Sequence, residues 1–356
     1  MTQSMPFVSI LIPVHNEEAY IDRCLQAVLT QDYPADLIEV WIADGLSADG
    51  TREIIADYIN QYSNIFLVDN PGRIVPTGLN LLIPKAKGDI IIRVDGHCVI
   101  ASDYVTNCVR HLQEKGVNGV GGPMHTVGED FKSEVIALAM SSKFGVGNSF
   151  FRTETGQTKL ADTVPFPAYL REDIRKVGLY DEELVRNQDD EYNYRIREAG
   201  GNILLADDVR STYFSRASMA KLWRQYYQYG YWKVRVLQKH PRQMSLRQFV
   251  PLAFVLSLIL SLVLTLVQPW GWVCLIAILG LYLLTNLAAS LGIAKKQGWH
   301  FLRLLPLAFA IIHLGYGLGF LVGLFKFWNR WGDKAGKSPK FRSEERRVGK
   351  ECRSRW

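Results

Sequence analysis

The sequence predicts an α/β fold, a mostly parallel sheet covered by helices on both faces, followed by transmembrane helices at the C-terminal end. Strand-type and helix-type patterns alternate through the first hundred residues. Continuous apolar strands between helices are typical of a parallel sheet buried on both faces. Three apolar segments follow near the end, at about 249–268, 271–293 and 303–325. Each is close to the roughly 20 residues that cross a bilayer.

The α/β pattern can be followed element by element. The strand-type runs are "FVSILIPV", "LIEVWIAD", "NIFLVDN" and "DIIIRVD", and helical patterns such as "EEAYIDRCLQAVLTQ" and "PTGLNLLIPKAK" separate them. In "SADGTREIIADYINQY", Ser47 or Asp49 is the predicted N-cap. Residues 189–199 are predicted to form a helix whose first turn holds acidic residues, which suit the positive end of the helix dipole.

Four regions are predicted along the chain. Residues 1–211 form the α/β domain, 212–248 an aromatic and basic amphipathic helix on the bilayer surface, 249–328 about three spans, and 329–356 a basic tail. The alternative for 212–248 is a solvent-facing helix packed on the domain. The last fifteen residues, "RSEERRVGKECRSRW", continue no earlier pattern and are typical of a cloning scar.

The charge distribution favours a membrane partner over nucleic acid. The chain has 41 Lys and Arg against 35 Asp and Glu, a net charge of +6, and half of this excess lies in the last fifteen residues. The other basic clusters flank the apolar segments, as at the cytoplasmic face of a membrane. The five cysteines show no CxxC pair, which argues against a disulfide scaffold or a zinc site.

Orientation follows from the loops between the apolar segments. With the α/β domain inside, "QPWG" lies outside and the basic "AKKQGWHFLR" inside, as the positive-inside rule requires. Three spans would then leave the basic "KFWNRWGDKAGK" outside. The third segment, with Pro306 and the "GYGLG" glycines, is therefore the candidate exception to a simple three-span topology.

Carboxylates follow two of the predicted strands. Asp44 ends the second strand pattern, and Asp95-Gly96-His97 ends the fourth. Ligands bind where the carboxyl ends of such strands meet. Asp44 could accept hydrogen bonds from a base or ribose, or simply shape a turn. Asp95 and His97 could hold Mg²⁺ or Mn²⁺, since both cations take carboxylate oxygen and Mn²⁺ also tolerates imidazole; the alternative is an Asp-Gly turn.

Two further features complete the candidate site. Cys98 is predicted to be a small buried apolar residue rather than a metal ligand. In "NQDDEYNYRIREAG", three consecutive acidic residues point in different directions from a helix start, so at most two of them face the crevice. One could be a general base, although stabilisation of the helix dipole would also place acidic residues there.

Five segments follow one another over about residues 7–210: "SILIPVHNEE", "IADGLSADGT", "GLNLLIPKAKGDIIIRVDGH", "KVGLYDEE" and "QDDEYNYRIREAG". In this order they resemble the motifs of glycosyltransferase family 2, which has the GT-A fold. The membrane-bound members of the succinoglycan-biosynthesis (ExoA) type are the most similar in pattern. Where the family usually has two consecutive aspartates, this chain has "ADG", and where it usually has an aromatic residue, this chain has His15.

The resemblance implies a role for each matching residue. Asp189 would be the catalytic base, with Gln188 in place of the family's glutamate, and Asp95 and His97 would bind the metal in place of a DxD motif. The residues implied to contact the nucleotide sugar are Pro13, His15, Glu17, Asp44, Asn80, Asp95 and Arg195.

The resemblance also implies the reaction. It is inverting transfer from a nucleotide-diphosphate sugar, of the UDP-sugar type, with Mn²⁺ or Mg²⁺ as cofactor. The expected acceptor is a polyprenyl-diphosphate-linked saccharide in extracellular polysaccharide synthesis. The expected location is the bacterial plasma membrane, with several spans and the catalytic domain on the cytoplasmic side.

Alternatives to this function stay open. Transfer to polyprenyl phosphate is one, and a non-catalytic nucleotide-sugar-binding membrane protein is another. A channel is disfavoured because the apolar segments hold few ionisable groups besides His313. Processive family members carry a QxxRW motif, whereas this chain has "QYYQYGYW", which favours addition of a single sugar.

Overall fold

The computed structural model describes residues 5–153, 156–215, 218–334 and 336. Its strands are β1 Val8–Val14, β2 Ile38–Asp44, β3 Ile65–Asp69, β4 Ile90–Arg93, β5 Cys98–Ile100, β6 Gly119–Gly121, β7 Met124–Val127, β8 Lys159–Leu160, β9 Ala168–Leu170, β10 Ile203–Leu205 and β11 Ser211–Phe214. Its helices are α1 Ile21–Leu29, α2 Thr51–Gln61, α3 Val75–Leu82, α4 Tyr104–Lys115, α5 Phe131–Met140, α6 Lys143–Val146, α7 Phe150–Thr153, α8 Arg171–Val177, α9 Gln188–Glu198, α10 Met219–Lys239, α11 Val250–Val267, α12 Gly271–Gln297 and α13 Leu305–Lys326.

The chain forms two compact units. Of the described residues, the first unit contains 5–124, 156–212 and 336, and the second contains 125–153, 213–215 and 218–334. The stretch 125–153, which the sequence pattern assigns to the α/β domain, belongs to the second unit because α5 packs there. The last fifteen residues, which the sequence pattern assigns to a cloning scar, lie outside the described residues.

The first unit is built on a mostly parallel sheet. Its strand order is β3-β2-β1-β4-β9-β6-β10-β8. Strands β1 to β4 pair in parallel, β6 pairs in parallel with β10, and β9 runs antiparallel between β4 and β6. Val14 lies opposite Asp44, and Asp44 opposite Asp69, so these three strands end at one edge. The predicted fold class is confirmed.

Burial explains why the central strands form as predicted. Ile10 and Ile12 in β1 and Val40 and Ile42 in β2 are fully buried. Branched apolar side chains favour a strand that is covered on both faces. The predicted N-cap of α2 is wrong: Gly50 occupies that position, because the Ser47 hydroxyl instead donates to Asp44.

The second unit contains all three predicted apolar segments as helices. The ranges Leu246–Val267, Gly271–Gln297 and Leu305–Lys326 are long and apolar enough to cross a membrane. The first half of α13 packs with α5 and α10 in a core of Val135, Ile136, Ala139, Met140, Leu222, Tyr226, Phe301, Leu305, Ala308, Phe309 and Ile312. Both ring nitrogens of His313 have hydrogen-bond partners: Nδ1 lies 3.0 Å from the Tyr282 hydroxyl, and Nε2 lies 2.8 Å from the Phe144 carbonyl oxygen.

Candidate active site

Hydrogen bonds join the loops after β1 and β2 into one surface, which forms the floor of the candidate site. The Asn16 N–H donates to the Ser47 hydroxyl at 2.8 Å, and the Ala48 N–H donates to the Asn16 side-chain oxygen at 2.9 Å. Asn16 has φ of 55°, a left-handed conformation that asparagine adopts more readily than most residues. Pro13 lies just before this loop, paired with Ala43 in the sheet. The two predicted nucleotide-binding segments are therefore held side by side.

Asp44 is completely buried at the end of β2. Its carboxylate accepts hydrogen bonds from the Ser47 hydroxyl at 2.5 Å and from the Arg52 guanidinium at 2.8 Å. Arg52 also pairs with Asp69 at 2.8 Å, and this hydrogen bond is the main cause that raises the pKa of Arg52. Asp44 thus shapes its own turn, and its contact with a nucleotide stays a prediction.

The His15 side chain fills the space that a side chain at position 45 would need. His15 is exposed, and its ring lies against the Gly45 backbone. A Cβ at position 45 would lie 3.1 Å from the His15 Cβ and 3.2 Å from its Nδ1. With His15 in this place, an aspartate in the second position of "ADG" would be crowded. The departure from the usual double aspartate therefore has a steric reason in this chain.

Arg93 joins the two carboxylates to which the sequence assigns the chemistry. This arginine ends β4 and is 4% exposed. Its Nε and Nη2 donate to Asp95 Oδ1 at 3.0 and 2.7 Å, and its Nη1 forms an ion pair with Asp189 Oδ1. Burial is the largest single influence and opposes the charge of Arg93, but the Asp95 carboxylate together with Tyr180 and Tyr169 outweighs it and raises the pKa of Arg93 above its usual value. Asp95 and Asp189, which are 94 positions apart in the chain, are thus brought together by the Arg93 side chain.

His97 pairs with Glu17 rather than with Asp95. The His97 Nδ1 lies 3.0 Å from Glu17 Oε1, and both side chains are less than one-fifth exposed. Gly96 between the two motif residues allows this approach, because a Cβ there would lie 2.8 Å from Val14 and 3.4 Å from the Glu17 side chain. Glu17, predicted to contact the nucleotide, is placed by the structure against the predicted metal ligand.

These side chains fit a divalent cation that also takes ligands from its substrate. Among the described residues, no group of three or more His, Cys, Asp or Glu side chains is arranged to hold a metal by itself. Asp95 is one-fifth exposed and uses Oδ1 for Arg93, which leaves Oδ2 for a cation. An imidazole that donates one N–H to a carboxylate, as His97 can to Glu17, is the usual arrangement of a metal-binding histidine.

Asn80 and Arg195 have scaffolding partners instead. The Asn80 amide donates to the Tyr180 carbonyl at 2.9 Å and to Glu182 at 3.0 Å, and its oxygen accepts from the Tyr180 N–H at 2.8 Å. Arg195 pairs with Glu191 at 2.6 Å and donates to the carbonyls of residues 177 and 179. Both residues fasten "KVGLYDEE" to its neighbours, and their contact with a nucleotide stays a prediction.

The acidic residues at the start of α9 have different partners. Of the three consecutive acidic residues of α9, Asp189 meets Arg93, whereas Glu191 is buried against Arg195.

Cys98 is 1% exposed, and burial raises the pKa of its thiol well above the ordinary value. The prediction that Cys98 is a buried apolar residue is confirmed.

Arg93 is the residue of the candidate site that sequence reasoning missed. It stands inside "RVDGHC", yet only Asp95 and His97 of that motif are assigned a role from the sequence. A signal was present: an arginine at the end of the apolar run "DIIIR" must either be solvated or find carboxylates. Its distant partner, Asp189, is visible only in the folded chain.

A mostly parallel sheet with acidic residues grouped at its strand ends is the architecture of the GT-A glycosyltransferases. A mannosyltransferase from Pyrobaculum calidifontis, solved in complex with GDP-Man and Mn²⁺, superposes with a TM-score of 0.57 at 18% identity, over 88% of each chain. At that identity the likeness shows the fold.

The chain belongs to glycosyltransferase family 2. The model described as glycosyl transferase family 2 matches residues 9–178. The succinoglycan biosynthesis protein ExoA of Rhizobium meliloti is 31% identical over 90% of this chain and 96% of its own length. The dolichyl N-acetyl-α-D-glucosaminyl phosphate 3-β-D-2,3-diacetamido-2,3-dideoxy-β-D-glucuronosyltransferase of Methanococcus voltae is 28% identical over 90% and 98%. The protein is therefore a glycosyltransferase with relatives in polysaccharide and lipid-linked saccharide synthesis.

Proposed function

We propose that this glycosyltransferase transfers a sugar, with inversion, from a UDP-sugar to a polyprenyl-diphosphate-linked saccharide during extracellular polysaccharide synthesis. The observation that carries the proposal is the bridge of Arg93 between Asp95 and Asp189. Arg93 holds Asp95, which could bind a cation, next to Asp189, which could accept a proton. These are the two groups that displacement of a nucleoside diphosphate by a hydroxyl requires.

Asp189 is the proposed general base. Its Oδ1 is held by Arg93, and its side chain is 30% exposed, so Oδ2 can accept the proton of the acceptor hydroxyl. As that proton moves to Asp189, the acceptor oxygen bonds to the anomeric carbon and the bond from this carbon to the diphosphate breaks. Attack from the face opposite the leaving group inverts the anomeric centre. A positioned base of this kind contributes roughly 10²–10⁴ in rate.

Asp95 and His97 are the proposed holders of Mn²⁺ or Mg²⁺. When bound, such a cation stabilises the negative charge of the departing diphosphate as a Lewis acid. Glu17 orients the His97 ring by accepting from Nδ1, and Arg93 orients the Asp95 carboxylate. For the nucleotide we propose the floor that contains Pro13, His15 and Asp44 as the binding surface.

The proposed acceptor and location rest on the relatives and on the apolar helices. One relative is named for succinoglycan synthesis, and the other is named as acting on a dolichyl-phosphate-linked sugar. Helices long and apolar enough to cross a membrane follow the catalytic unit in the chain. We therefore place the protein in the bacterial plasma membrane, with several spans and the catalytic unit on the cytoplasmic side, where nucleotide sugars are available.

The test uses membranes that contain the full chain, a panel of labelled nucleotide sugars, and assays with and without Mn²⁺. Wild type is expected to label a lipid extract, and Asp189→Asn to bind donor but transfer no sugar. Asp95→Ala is expected to lose metal-dependent transfer. Full activity of Asp95→Ala would contradict the metal assignment, and a product consisting of polyprenyl monophosphate and one sugar would replace the proposed acceptor.

A further inference from the structure

Helix α13 crosses the base of the α11–α12 hairpin instead of running alongside it. Tyr282 of α12 stacks on Phe254 of α11 with ring centroids 4.4 Å apart, and its hydroxyl meets His313 of α13. Further along α13, a Cβ on Gly317 would clash with the Pro251 carbonyl. Three residues later, the Phe320 ring lies 5.7 Å from that of Phe249.

The contacts of α13 with the α11 side of the hairpin run in the wrong direction for a third span. As α13 proceeds from His313 to Phe320, its level on the α11 side goes backwards, from Phe254 past Pro251 to Phe249, which directly precedes α11. A helix that followed α11 through the bilayer would instead meet successively later residues of α11. Among the described residues, the contacts of α13 with the hairpin therefore lie in the half where α11 begins and α12 ends.

The other half of the hairpin is exposed on all sides except between its own two helices. Its large exposed apolar side chains are Ile259, Leu260, Leu262, Val263, Leu266, Val267, Val273, Ile276, Leu279, Leu281, Leu283 and Leu284. A Cβ on Gly280 would meet nothing within 4 Å. At 1.5 Å per residue, α11 is about 27 Å long and α12 about 40 Å, which suits a hydrocarbon core of about 30 Å.

Helix α10 runs beside α13 in step with it. Gly315 faces the Trp223 carbonyl at 3.4 Å, Gly319 faces the Tyr227 carbonyl, and Gly323 faces the Tyr231 carbonyl at 2.7 Å, measured from an added Cβ. Both helices advance by four residues between contacts, so they are parallel neighbours. Glycines spaced in this way allow two helix backbones to approach closely.

The charges on α10 decide where this pair lies. Lys221 and Arg224 are exposed, and Arg224 stands beside the middle of α13. The uncharged stretch from Arg224 to Lys233 has eight residues, about 12 Å, against a bilayer core of about 30 Å. If α13 crossed the membrane, Arg224 would face lipid near the bilayer centre, where a cation is strongly disfavoured.

We infer that only α11 and α12 cross the membrane, and that α10 and α13 lie side by side in the membrane interface on the side where α11 enters. The occupant of the exposed apolar surface is the lipid bilayer. Phe325, Trp328 and Trp331 at the end of α13 are exposed, and aromatic side chains of this kind prefer the interface. The basic segment 294–304, from the end of α12 to the start of α13, and the basic residues after α13 then lie on the same side, which removes the conflict with the positive-inside rule.

The test is accessibility of single cysteines to a membrane-impermeant maleimide, using the full chain in spheroplasts and in inverted vesicles. Cys24, Cys98 and Cys108 are buried, and Cys274 and Cys352 are first changed to alanine. Gln268→Cys reports the α11–α12 turn, Lys296→Cys the end of α12, and Lys334→Cys the region after α13. Gln268→Cys is expected to react in spheroplasts, and the other two only in inverted vesicles. Reaction of Lys334→Cys in spheroplasts would overturn the inference.

A matched pair of lysine substitutions gives an independent readout. Leu262 in α11 and Val322 in α13 are both exposed apolar residues, 52% and 39%. Leu262→Lys is expected to lower the amount of membrane-inserted protein by at least about tenfold, because its charge would lie in the bilayer core. Val322→Lys is expected to change it less than twofold. Equal losses for both variants would contradict a surface position for α13, whatever their catalytic activity.

Discussion

At the scale of single residues, Arg93 is the centre of the proposed chemistry. A guanidinium has donors on three nitrogens in a fixed plane, and here they reach two carboxylates at once. Asp189 is the proposed base and Asp95 the proposed metal ligand, so one buried cation sets the distance between the two functions. Its positive charge also offsets the repulsion between these two neighbouring carboxylates.

Arg93→Lys is expected to lower kcat by about 10²-fold, because a lysine ammonium is a single point and cannot hold both carboxylates in register. The KM for the donor is expected to change little, since the floor that contains Asp44 is untouched. Steady-state kinetics with varied donor measures both constants. Arg197→Lys is the control, because Arg197 lies on the same helix as Asp189 but pairs with Asp162 at 3.2 Å. A loss confined to KM would contradict the positioning role.

His97 is expected to set the preference between metals. Imidazole is a poor ligand for Mg²⁺, whereas a carboxylate suits it well. In the double variant His97→Asp with Glu17→Gln, the DxD motif is restored and the repulsion between two carboxylates is avoided. The ratio of Mg²⁺-supported to Mn²⁺-supported transfer is expected to rise about tenfold or more. Glu17→Gln alone is the control, and an unchanged ratio in the double variant would show that position 97 does not contact the metal.

At the scale of elements, Asn80 tests whether a matching motif residue binds ligand or holds the scaffold. Asn80→Ala removes three hydrogen bonds and leaves the buried Tyr180 backbone without a partner. We expect a loss of about 2–4 kcal/mol in the free energy of unfolding, which a thermal melt of the purified chain would show as a lower Tm. A raised KM for the donor at unchanged Tm would instead support the predicted nucleotide contact.

The contact between α10 and α13 can be tested with a matched pair of glycines. Gly319→Leu would drive a side chain into the Tyr227 backbone, and overpacking of this kind destabilises by about 1–3 kcal/mol or more. Gly292→Leu in α12 is the control, because a Cβ there would meet nothing within 4 Å. A melt in detergent should show a clearly lower Tm for Gly319→Leu alone. Similar Tm values for the two variants would argue against close packing of α10 on α13.

Some elements could be predicted from the sequence because their cause is local. Strands β1 and β2 are buried apolar runs, and their ends place Asp44 and the Asp95 segment at one edge of the sheet. Strand β9 could not be predicted, since "PFPAYL" is short and is held by pairing with β4 and β6. The same holds for the ion pair between Arg93 and Asp189, which are 96 positions apart.

At the scale of the whole molecule, hydropathy identified three apolar helices but could not show their arrangement. A hydropathy window records the composition of α13 and contains no information about α10 beside it. Since α10 carries Lys221 and Arg224, the pair has a different preferred environment from α13 alone. The missing information was the tertiary packing of α10 on α13, and this packing changes the proposed number of spans from three to two.

Two spans also bear on how many sugars are added. The exposed half of the α11–α12 hairpin is a pair of helices in contact, and two helices cannot enclose a channel through which a growing polymer could leave. Together with "QYYQYGYW" in place of a QxxRW motif, this predicts that each acceptor receives one sugar and is released. Mass spectrometry of the lipid extract after prolonged incubation with excess donor should show a single added residue. A ladder of products of increasing length from the purified full chain would contradict both the proposed single addition and the channel-free arrangement from which it follows.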